Sequence, residues 1–73
     1  MWVSQTVPGG DLRREVDAIE RALADRDGPT DRRELARVVG ARFWGPGRFG
    51  AALREAVESG RAQRAGRNRY QRA

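Results

Sequence analysis

The chain has 73 residues, with fifteen cations, all arginine, against ten acids, and neither cysteine nor histidine. A chain this short forms one small domain that buries only about 60 to 65 percent of the surface its unfolded form exposes. Without Cys or His it lacks disulfides, a thiol nucleophile, the usual general base and the usual zinc ligands, so neither an enzyme nor a cofactor or metal site is expected.

Ser4 and Ser59 have no recognisable base, and the carboxylates fall at helix-surface spacings beside arginines, as solvated acids do. No apolar run approaches the roughly 20 residues of a membrane helix, and MWVSQTVPGG has neither a basic start nor an apolar core. No membrane and no small-molecule substrate are expected, and the location expected is cytoplasmic, on the nucleoid.

The net charge of +5 is unevenly placed. Residues 1–34 carry six Arg against eight acids, a net of −2, while residues 35–73 carry nine Arg against Glu55 and Glu58, a net of +7. Such asymmetry points to an anionic partner on the C-terminal half, nucleic acid being the commonest. Arginine suits phosphates and guanine edges, but it also replaces lysine in the acidic half, so the choice of residue carries no weight.

Residues 1–10 read as an N-terminal extension ahead of one domain, 11–73. Trp2, Val3 and Val7 would supply an extra strand or a contact to a homodimer or partner protein, because the apolar positions elsewhere are few. Asp11 can cap a first helix in which Leu12, Val16, Ile19 and Leu23 recur at spacings of four, three and four, ending before Gly28-Pro29. A second helix starts at Asp31, with Glu34 at the capping-box spacing, buries Leu35, Val38 and Val39, and stops at Gly40.

In 41-ARFWGPGRFG-50, Gly45 reads as an N-cap and Pro46 as the first position of a third helix running to about Ser59. Its buried face is Phe49, Leu53, Ala56 and Val57; the opposite face holds Gly47, Arg48, Ala51, Arg54, Glu55 and Glu58. Phe43 is expected in the core and Trp44 on the surface. The remaining 60-GRAQRAGRNRYQRA-73 reads as a β-hairpin turning at residues 65–68, with Tyr70 pinning its second strand to the helices; a disordered basic tail is the alternative.

This order resembles a winged helix-turn-helix domain over residues 11–72. The resemblance rests on 34-ELARVVGARFWGPGRFGAALREAVESG-60 followed by the basic hairpin. It implies a mainly α fold of three helices with a small C-terminal hairpin, the third helix being the recognition helix and the hairpin the wing. The turn from Gly40 to Gly45 is longer than the minimal one, and only Pro29-Thr30 offers a strand behind the wing.

The function implied is a small sequence-specific or architectural binder of double-stranded DNA, a transcriptional regulator. At the N-terminal turn of the third helix, Trp44 to Arg48, the glycines Gly45 and Gly47 would let a phosphate approach and Arg48 would reach a phosphate or a base edge, the alternative being that the glycines only make a tight turn. Ala51 leaves room for a groove, and Arg54 would reach a base edge unless it pairs with Glu58. Arg64, Arg67, Asn68 and Arg69 would contact the backbone or minor groove, with Arg42 in the long turn as a further phosphate contact. The alternative is a winged-helix module that binds protein, marked by an exposed apolar patch.

Overall fold

The computed structural model describes residues 8–73. In chain order they form α1 (Pro8–Ala24), β1 (Thr30–Asp31), α2 (Arg32–Val39), a 3-10 turn (Ala41–Phe43), α3 (Arg48–Glu58), β2 (Ala62–Gly66) and β3 (Arg69–Arg72). The protein is thus mostly helical, with one antiparallel sheet of three strands in the order β1-β3-β2. The contacts sought from Trp2, Val3 and Val7 lie outside the described residues.

α1 spans Pro8–Ala24, so Gly9 and Gly10 are helical and Asp11 lies inside the helix, not at its cap. Proline suits a first helical position because its missing N–H has no intrahelical partner there anyway. The stripe Val16, Ile19, Ala22 and Leu23 is buried against Leu35 of α2 and against Phe49, Ala52, Leu53 and Ala56 of α3. Ile19, Leu23 and Leu35 are the largest fully buried side chains and mark the centre of the core.

α2 starts and stops where its sequence says. The Asp31 carboxylate accepts from the Arg33 backbone N–H at 3.0 Å, and Gly40 ends the helix in the left-handed region with φ 71°. Glu34 does not turn back as a capping box would, because its carboxylate is held by Arg26 and Arg37. Of the stripe expected to be buried, Leu35 is inside and Val39 packs on the core, but Val38 is 47% exposed. An eight-residue helix lying against two neighbours has room for one narrow apolar face, and Val38 falls off its edge.

The helix after the glycines starts at Arg48, two residues later than expected. Gly47 is its N-cap with φ 74°. A left-handed residue cannot sit inside an α-helix, so Pro46 cannot be its first residue. Before it, the 3-10 turn reverses the expected roles of the aromatics: Phe43 is 78% exposed, whereas Trp44 packs on the core and its ring lies 6.1 Å from that of Phe49. In a three-residue period, side chains at i and i+3 share a side. Ala41 is buried, so Trp44 follows it inward and Phe43 points away.

α3 ends in a paired cap: Arg61 N–H donates to the Ala56 carbonyl at 2.8 Å and Gly60 N–H to that of Val57 at 3.1 Å. These are the two bonds of a Schellman motif. The chain then enters the hairpin, whose turn is Arg67-Asn68 with Asn68 at φ 58° and an irregularity between Arg64 and Gly66. Tyr70 is buried as expected. It stands opposite Arg64 on β2 and Thr30 on β1, so the ribbon expected with little backing is one part of a sheet whose first strand comes from between α1 and α2.

Candidate functional site

Three elements meet at one cleft. α3 supplies Gly50, Leu53, Arg54, Val57 and Glu58, the hairpin supplies Arg64 and Tyr70, and the first residue of α2 supplies Arg32, around a volume of about 340 Å³. Leu53 and Tyr70 are core residues whose edges form the floor, so the cleft is positioned by the same packing that holds α3 on the sheet. Arg54 and Arg64 are both exposed. Among the described residues no carboxylate lies within ion-pair reach of Arg32, Arg54 or Arg64, Glu58 included. Coulomb repulsion between such guanidinia is relieved by a bound anion.

Arg32 extends the site. Together with Asp31, Arg33, Ala36 and Asn68 it lines a second hollow of about 550 Å³ along the start of α2, and its backbone N–H donates to the Asn68 carbonyl at 2.7 Å. Ala36 in turn borders a third, of about 430 Å³, with Arg37, Gly40, Arg42 and Phe43. The three hollows share walls, so the arginines at 64, 54, 32, 33, 37 and 42 border one winding track. Arg37 is the paired member of this series: it and Arg26 bond to Glu34, and the hydrogen bonds from Arg37 and then Arg26 hold the Glu34 carboxyl below its ordinary range.

Of the residues expected at the site, Arg54, Arg64 and Asn68 are brought into this track, and Arg42 stands at its far end with its guanidinium 4.7 Å from the centre of the Phe43 ring. Ala51 is exposed on α3, and Arg67 and Arg69 are exposed on the hairpin. Gly47 is exposed as the N-cap.

Two of the expected residues are elsewhere. Trp44 is half-buried and packs against the core, and Arg48 bonds to Glu15 of α1. Glu15 is 8% exposed, contrary to the expectation that the acids are solvated. It follows Leu12 by three residues and precedes Ile19 by four, so it lies on the buried face of α1 and needs a cation there.

Arg32 and Arg33 were not among the expected residues, since both lie in the acidic half of the chain. The available signal was Asp31: a residue just after an N-cap sits at a helix N-terminus, where anions are favoured. Among the described residues no group of three or more acids could hold a metal ion, and no helix is long and apolar enough to cross a membrane. Compared with protein-family models, curated proteins and solved structures, the chain matches none of them.

Proposed function

We propose that the chain is a winged helix-turn-helix protein that binds double-stranded DNA, with α3 in the major groove and the hairpin along the backbone or minor groove. The observation that carries the reading is the cleft between α3 and the hairpin, rimmed by Arg32, Arg54 and Arg64 with no carboxylate bonded to them among the described residues. The element order and the β1-β3-β2 sheet support it, because a strand between the first two helices backs the hairpin on one side. Small residues at Gly50 and Ala51 leave the surface of α3 open to a groove, while Arg54 stands beside them. A regulator or an architectural protein would use this surface in the same way.

The test is fluorescence anisotropy of a labelled random duplex of about 25 base pairs, titrated at several salt concentrations. If about five arginines each neutralise a phosphate, log K falls with log salt at a slope near −4 to −5. No binding at low salt would remove the DNA reading. It would leave the protein-interaction reading.

A further inference from the structure

Arg32 reaches the cleft from a different helix and arrives already oriented. Its backbone is tied to the hairpin turn through the Asn68 carbonyl. Its guanidinium lies over the Phe49 ring, 5.2 Å from the centroid, and Phe49 is buried and braced by Trp44. A Cβ built at Gly50 would stand 3.4 Å from Arg32 Nη2, so the guanidinium lies across the bare backbone of α3.

The contacts that fix this side chain leave its donors unspent. Among the described residues the Arg32 guanidinium donates no hydrogen bond and pairs with no carboxylate, so its N–H groups remain for a ligand. Its planar fork matches the O6 and N7 acceptors of guanine, and a side chain ordered before binding loses less entropy on contact. Arg67 and Arg69, on the exposed hairpin, have neither ring nor carboxylate partner among the described residues and suit the less directional contact with phosphate.

We infer that Arg32 determines sequence specificity by contacting a guanine edge presented over Gly50, and that Phe49 and Gly50 are its positioning residues. The inference rests on the DNA reading above and names the feature of DNA that the cleft takes. Lysine at position 32 keeps the charge and loses the fork. Alanine at 50 sets a methyl group against Nη2, and leucine fills the floor of the cleft, while both favour the helix more than glycine does.

The experiment is selection of preferred duplexes from a randomised library by the wild type and by Arg32→Ala, Arg32→Lys, Gly50→Ala and Gly50→Leu, with a melting curve for each. The wild type is expected to enrich a guanine position. Discrimination there should fall by about 5- to 150-fold in both Arg32 variants, with overall affinity better kept by lysine. Gly50→Leu should lose the same preference and Gly50→Ala part of it, with no drop in the melting temperature of Gly50→Ala.

An equal loss on all sequences in Arg32→Ala, with the salt slope reduced by about one, would make Arg32 a phosphate contact and overturn the inference. So would wild-type binding with no base preference, or an unchanged preference in the Arg32 variants. Failure of the DNA reading itself would appear earlier and separately, as no binding by the wild type.

Discussion

The side of the molecule built on α1 and the side that carries the cleft use the same residue in opposite electrostatic states. On the α1 side, Arg48 bonds to Glu15, and Arg61 reaches Asp17 at 2.6 Å and Glu20 at 4.0 Å. Around the cleft, Arg32, Arg54 and Arg64 have no such partner among the described residues. The acidic half of the chain therefore acts as an internal counter-ion: α1 neutralises two arginines of the basic half and ties α3 and the start of the hairpin to itself. Charge counted along the sequence overstates the cations available to a partner, and the fold decides which ones remain.

The largest expected effect would come from breaking the paired side. Glu15→Ala removes the buried carboxylate that bonds to Arg48, and because the Arg48 side chain is 42% exposed the loss should be about 1 to 2 kcal/mol rather than the 3 to 5 of a fully buried pair. Urea unfolding measures it, and duplex affinity of the folded variant should not change. A fall in affinity as large as that in a cleft variant would erase the distinction between the two sides.

Next come Arg54→Ala and Arg64→Ala, each expected to weaken duplex binding by roughly 1 kcal/mol, about fivefold, with stability within about 0.5 kcal/mol of wild type. Anisotropy and thermal melting on the same samples give both readings. Phe43→Ala should sharpen the boundary of the site. An exposed ring contributes little to folding, so stability should move by less than about 0.5 kcal/mol, and unchanged duplex affinity would place the ring outside the duplex-binding surface.

The smallest effect concerns Glu34. Hydrogen bonds from Arg37 and Arg26 lower its folded pKa below the ordinary 4.5, so it stays ionised in the folded protein where the unfolded chain has begun to take up protons. Its contribution is complete above that ordinary value and is lost as pH falls through the lower, folded one. Melting curves between pH 7 and 3 should show a shallower acid decline for Glu34→Gln. An identical decline would show the exposed pairs to be without consequence.

Where structure is decided by neighbours in the chain, the sequence was readable. Asp31 and Gly40 bound α2, Gly60 follows α3, and Tyr70 fixes the face of β3, each by short-range rules of capping and alternation. The reversal of Phe43 and Trp44 was hidden because it depends on a 3-10 turn whose period differs from that of the flanking helices. β1 was legible only as the short stretch offered by Pro29-Thr30, because two residues carry no alternation and only their pairing with β3 makes Thr30 and Asp31 a strand.

Half of the site was legible for the same reason. Arg54, Arg64 and Asn68 follow from placing α3 and the hairpin, whereas Arg32 enters only through its contact with Phe49, seventeen positions away. The bond from Arg48 to Glu15 was not legible in α3 alone, because it depends on an acid of α1. That acid could have been found on the apolar stripe of α1 between Leu12 and Val16.

The register that sets Thr30 against Tyr70 also has a consequence in time. It joins positions forty residues apart, and closing a loop of that length costs about 3 kcal/mol of chain entropy before the pairing returns anything. Helical turns form from near neighbours, so the sheet is the late step in folding. The bond from Arg32 to Asn68 closes with it, and a newly made chain acquires its cleft only when its last strand has found β1.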